Sequence, residues 1–173
     1  MIFVIQGSFA VSDKADEVIQ TLLGSCVATC LYDPVARVGG MNHFLLPGEE
    51  RTEVNSMSYG AHSMEVLINA LMRLGARRDT MQAKIFGGAR MMTSGRDIGQ
   101  NNGIFARSFL QRERIQLVSE SIGGDQARKI RMVPTTGNVQ QMFVGTAASV
   151  PAPPPSKAAA RPAPASSGDL ELF

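Results

Sequence analysis

The chain holds two cysteines, Cys26 and Cys30, and two histidines, His43 and His62. Three of the four fall within one stretch, TLLGSCVATCLYDPVARVGGMNHFLLP, residues 21–47. A thiol beside an imidazole can hand over its proton, and the thiolate that results attacks amide or ester carbonyls. Gly24 and Ser25 stand just before Cys26, and a glycine there lets the backbone turn sharply toward a substrate carbonyl. At such a turn, free backbone N–H groups near Ser25 and Cys26 could hold a thiolate and an oxyanion. A polar residue on the preceding segment, Thr21 or Gln20, could orient the ring.

The same residues have a plainer reading. Both thiols could be small buried hydrophobes, and His43 a core histidine bonded to backbone. Pairing one cysteine with one histidine needs no special spacing, so the residues alone leave both readings open. Cys30, inside an apolar run, reads as core, and His62 as a solvated histidine. A zinc site from Cys26, Cys30, His43 and His62 lacks the close-paired ligand spacing of structural sites. On one strand Cys26 and Cys30 would lie about 13 Å apart, beyond disulfide reach, so two free thiols are expected. The segment FGGARMMTSG follows a strand with glycines but has neither the full Gly-rich fingerprint nor a P-loop lysine, and reads as a tight strand-to-loop turn. The ten methionines read mostly as scattered core filling.

The elements that must position these groups are legible in part. EVIQTLL, CVATCLYD and VGGMNHFLL read as neighbouring strands of one sheet, with Asp33-Pro34 as a turn signal. If the second and third are antiparallel partners, His43 returns level with Cys26. SYGAHSMEVLINALMRLGARRD places Met64, Leu67, Ile68, Leu71, Met72 and Leu74 on one helical face. Ser58 is the expected N-cap, Arg73 lies in the last turn and Gly75 is the expected C-cap. AKIFGG reads as a buried strand and NNGIFARSFLQRER as a second helix. IQLVSES, RKIRMVP and NVQQMFVG alternate as strands do, with TTGN as the turn between the last two. The expected fold class is α/β, a layered sandwich of mixed, mostly antiparallel β-sheet with two main helices.

At 173 residues and 44% hydrophobic, the chain suits one domain, expected over 1–149. From 150 to 173 the composition turns to Pro, Ala and Ser, expected as a disordered tail. Its DLELF end fits a short docking peptide or a frayed terminus. A net charge of +2, no Trp and two Tyr argue against a nucleic-acid binder. The N-terminus lacks a signal-peptide pattern, and no apolar stretch reaches the roughly 20 residues that span a bilayer, so a cytoplasmic protein without membrane insertion is expected.

TLLGSCVATCLYDP followed by GGMNHFLLP resembles the CheD family of chemoreceptor glutamine deamidases. The likeness continues through AKIFGGARM, IGQNN, GGDQARKI and TTGNV, nearly all of residues 1–149. The resemblance implies an α/β sandwich with a Cys-His-Thr constellation, similar in arrangement to the deamidase domain of cytotoxic necrotizing toxins. It makes Cys26 the nucleophile, His43 the base and Thr21 the third member, with backbone support from Gly24 and Ser25. It implies glutamines of methyl-accepting chemotaxis receptors as substrate, a CheC-type phosphatase as partner, and no metal or organic cofactor. The chain departs from the family pattern twice. Some members carry the Thr six positions before the Cys, where this chain has Gln20, and Asn101 stands where Arg is expected. An inactive adaptor that docks on receptors, or another cysteine hydrolase, would use the same residues differently.

Overall fold

The structure, a computed structural model, describes residues 1–46, 53–91 and 98–144. In chain order the elements are β1 (Ile2–Phe3), β2 (Phe9–Ser12), β3 (Ile19–Leu23), β4 (Val27–Asp33), β5 (Val38–Asn42), α1 (Glu53–Arg73), β6 (Gln82–Gly87), α2 (Ile98–Arg112), β7 (Gln116–Ile122), β8 (Ala127–Val133) and β9 (Asn138–Val144). They build a four-stranded sheet in the order β1-β3-β8-β9 and a five-stranded sheet in the order β2-β5-β4-β6-β7. Both helices lie on the five-stranded sheet. The layers therefore run helices, five-stranded sheet, four-stranded sheet, and the pairing is mostly antiparallel, with β1–β3 and β6–β7 parallel.

This layering explains why β4 reads as an unbroken apolar run: it is buried on both faces. Val27 and Leu31 join the core beneath the helices, with Met64, Leu67, Ile68 and Leu71 of α1 and Phe105, Phe109 and Leu110 of α2. Ala28 and Cys30 face the other way, into the core between the sheets, with Ile19, Leu23, Met41, Ile130 and Met132. Each large apolar side chain so enclosed contributes about 2 kcal/mol before ordering entropy is subtracted. Helix α1 ends as the sequence predicts: Gly75 takes φ +98°, its N–H meets the Met72 carbonyl at 3.0 Å and the Ala76 N–H meets Leu71 at 3.1 Å. That pair of bonds is the Schellman termination.

Several expectations need correcting. β3 is not a neighbour of β4: it pairs with β8, Thr21 opposite Ile130, and belongs to the four-stranded sheet. Its alternating burial marks a strand with one open face, as an outer layer requires, whereas β4 is enclosed. Helix α1 begins at Glu53, so Ser58 lies inside it. Its early turns leave Met57 50% exposed, so no apolar spacing marks them. Met72 and Leu74, 43% and 38% exposed, lie off the buried stripe. Helix α2 starts at Ile98, before the predicted Asn101. β1 and β2 escaped the sequence reading altogether. The tail from 150, with DLELF, and residues 92–95 of the FGGARMMTSG segment lie outside the described residues.

Candidate active site

Of the four connections that pass between the sheets among the described residues, two meet beside the start of β4. Residues 4–8 lead from β1 in the four-stranded sheet to β2 in the five-stranded one; residues 24–26 lead from β3 to β4. His43 stands beside both, immediately beyond the end of β5. Its backbone is gripped by the first crossover, with Gly7 N–H to the His43 carbonyl at 2.7 Å and His43 N–H to the Ser8 carbonyl at 3.0 Å.

The ring is fixed by the second sheet. Thr21 Oγ1 donates to the Val4 carbonyl at 2.6 Å and lies 2.9 Å from His43 Nδ1. A carbonyl only accepts, so the single hydroxyl proton of Thr21 is committed to Val4. Nδ1 must then carry the ring proton and donate to Thr21 Oγ1, with the Val4 carbonyl 3.5 Å away as a second acceptor. Nε2 is left with its lone pair. It is buried and has no hydrogen-bond partner among the described residues, in a residue only 6% exposed. Burial lowers the pKa of His43, and the hydrogen bond to Val4 opposes that, so the ring is held neutral. Gln20, next to Thr21 on β3, projects to the opposite face of the strand.

Cys26 is placed by register. Val27 bridges Phe44, with bonds of 3.0 and 2.9 Å, and Cys30 pairs with Met41. Val27 and Phe44 both face the helices. The residues before them, Cys26 and His43, therefore face the other sheet as diagonal neighbours, with α-carbons about 7–8 Å apart. His43 thus comes back to the start of β4, as the sequence predicts, although it lies past the strand rather than inside it.

The turn itself is tied down by its carbonyls. Gly24 accepts from Ala89 N–H at 2.9 Å and Cys26 from Gly88 N–H at 2.8 Å; Ser25 accepts from Asn102 Nδ2 at 3.0 Å. The loop after β6 comes so close that a Cβ on Gly87 would stand 2.2 Å from the Cys26 carbonyl oxygen, and Gly87 holds φ +111°, both of which require glycine. In a trans peptide N–H and C=O point opposite ways. Fixing the Gly24 and Ser25 carbonyls on one side therefore turns the N–H groups of Ser25 and Cys26 to the other. The half-buried Cys26 thiol donates to Gln6 Oε1 at 3.4 Å. Burial raises its pKa, opposed by a hydrogen bond from its own backbone N–H. Thiol and imidazole are both neutral at rest.

Of the predicted residues, the structure brings Thr21 to His43 and sets Cys26 on the same face. Cys30 is fully buried, and burial pushes its thiol up to about 12, with nearby Lys84 opposing. Both cysteines are free. His62 and Asn101 are exposed. Three participants escaped sequence reasoning. Gln6 and Val4 come from a crossover whose flanking strand β1 has two residues, too short for any periodicity. Asn102 is buried inside α2, where it bridges the Ser25 carbonyl and the Leu46 N–H at 2.8 Å; a fully buried asparagine on a helix is the signal, and its burial is a tertiary property that local residue order does not encode. No group of three or more metal-ligating side chains occurs among the described residues.

Comparison with known proteins adds an independent line. The family model described as CheD chemotactic sensory transduction matches residues 45–142. A Cereibacter sphaeroides protein named probable chemoreceptor glutamine deamidase CheD is 53% identical over 148 residues, covering 86% of this chain and 74% of that protein. A Caulobacter vibrioides protein of the same name is 44% identical over 179 residues, covering 99% and 92%. Among solved structures, a Bacillus licheniformis hypothetical protein, YfiH, superposes with a TM-score of 0.44 at 16% identity over 65% of this chain and 49% of its own. On the family match and the extent of identity with these relatives, the chain belongs to the CheD family.

Proposed function

We propose that this protein is a protein-glutamine deamidase that converts glutamine side chains of methyl-accepting chemotaxis receptors to glutamate. The observation that carries the reading is His43, whose Nδ1 proton is committed to Thr21 while its buried Nε2 keeps a lone pair on the face that holds Cys26. The name of its relatives, probable chemoreceptor glutamine deamidase, supplies the substrate class.

In this mechanism a glutamine side chain binds against Cys26, and the Cys26 proton passes to His43 Nε2. The thiolate attacks the carboxamide carbon; a C–S bond forms and the carbonyl π pair moves to oxygen. The N–H groups of Ser25 and Cys26 receive that oxyanion. As it collapses, the imidazolium gives its proton to the leaving nitrogen, and the C–N bond breaks to release ammonia. Water deprotonated by His43 then adds to the thioester, releasing glutamate and the thiol. Thr21 keeps the ring in the tautomer that each transfer needs. No step calls for a metal or organic cofactor. The family resemblance adds a CheC-type phosphatase as partner. A cytoplasmic setting suits a reduced thiol, and no helix among the described residues is long and apolar enough to cross a membrane.

The test is incubation with a receptor cytoplasmic fragment, following ammonia and the glutamine-to-glutamate mass shift, with Cys26→Ala as control. Turnover that vanishes in the variant supports the enzyme. Binding without turnover would make the protein an adaptor, and backbone cleavage would make it a peptide hydrolase.

A further inference from the structure

The Cys26 thiol donates to a glutamine, Gln6, at 3.4 Å. That side chain is exposed, yet its backbone is held on both sides. Val4 N–H is bonded to the Gln20 carbonyl at 2.9 Å and Gly7 N–H to His43 at 2.7 Å, and Ser8 Oγ closes the turn onto the Ile5 carbonyl at 2.7 Å. The same short crossover thus holds the base, through Val4, Gly7 and Ser8, and presents a carboxamide to the nucleophile. In the resting site the polarity is sensible: S–H donates and Oε1 accepts. Once the proton has moved to His43 Nε2, sulfur carries a charge and no hydrogen, and Oε1 would face it lone pair to lone pair.

We propose that Gln6 is a further catalytic residue, which turns its carboxamide over as the proton leaves and donates Nε2–H first to the thiolate and then to the substrate oxyanion. The turn is a rotation about the Cγ–Cδ bond, a broad and nearly two-fold torsion that leaves the footprint of the group unchanged. The bond gained is charge-assisted, roughly twice the strength of the neutral one it replaces. The carboxamide has two N–H groups, so one can stay on sulfur while the other reaches the oxygen on which charge develops. No electrons or atoms are exchanged with Gln6; it answers the charge as the charge moves. The thiolate step stands on the geometry alone, whereas the oxyanion step rests on the deamidase reading.

The experiment compares wild type with Gln6→Ala and the near-isosteric Gln6→Glu, which places an anion where the donor should be. Two readouts are taken on the full chain: the pH profile of Cys26 alkylation by iodoacetamide, and kcat and KM on the receptor fragment. His43, the titratable group on the same face, is monitored through its ring proton resonances. The expected result is an alkylation midpoint displaced to higher pH in Gln6→Ala and further in Gln6→Glu, with kcat down about 100-fold and KM little changed. An unmoved midpoint overturns the thiolate role, and an equal or raised kcat in Gln6→Ala overturns the oxyanion role and makes the residue a plug over the thiol. If wild type releases no ammonia from receptors, the deamidase reading fails by itself, and the alkylation midpoint alone decides for or against Gln6.

Discussion

At one end of β4, Asp33 is buried and wholly used: its carboxylate accepts Val35 and Ala36 N–H at 2.8 and 3.1 Å, Arg77 N–H at 2.8 Å and the Thr80 hydroxyl at 2.5 Å. At the other end, beside Val27, the imidazole keeps an unbonded nitrogen and the thiol sits half open on a single long contact. Burial acts at both ends with different results. It works to raise the Asp33 pKa, but hydrogen bonds from Thr80, Arg77, Ala36 and Val35 outweigh it and the group stays ionised. At Cys26 and His43 burial prevails and keeps both groups uncharged. A polar group whose bonds are complete steadies a fold; one left incomplete retains free energy for a reaction.

The contrast breaks first at the sulfur. Replacing Cys26 by Ser should cut kcat on receptor fragments on the order of 10⁶-fold while leaving the urea midpoint in place; a large stability loss would mean that this end is structural as well. Asp33→Ala should do the reverse, lowering unfolding free energy by about 3 kcal/mol through the orphaned donors with little change in kcat per folded molecule. Because the folded pKa of Asp33 is depressed, its stabilisation is present above the ordinary aspartate value and is lost as pH falls through the folded one. Acid unfolding of Asp33→Asn should therefore be less steep than that of wild type.

Smaller effects sharpen the picture. Thr21→Val removes the acceptor of the Nδ1 proton and should lower kcat about 10- to 100-fold. The acid limb of kcat/KM, set by His43, should stay below the ordinary imidazole value of 6.5 in this variant, because burial, the largest influence on the ring, and the Val4 carbonyl that opposes it are both retained. An unchanged kcat would exclude Thr21 from orienting the base. Cys30→Ala should cost about 1 kcal/mol of packing and no activity, and native alkylation should label Cys26 alone.

The sequence carried the parts of the fold whose residues repeat. The buried stripe of α1, the run of β4 and its antiparallel return through Val38–Asn42 all follow from periodicity and one turn signal. What escaped is the assignment of strands to sheets. Gly24-Ser25-Cys26 reads as a local turn, and nothing in its residues says that it leads to another layer. For the same reason the chemistry was legible as a cysteine and a histidine on partner strands, while Val4 and Gln6 were not, because they follow a two-residue strand with no periodicity, and Asn102 was not, because a readable helix does not say that one of its polar residues is buried against the turn.

The bond between Thr21 and His43 joins two layers that share no strand hydrogen bonds, one residue rooted in each sheet. It therefore works as an alignment gauge: sliding one sheet past the other would lengthen it and release the imidazole to either tautomer.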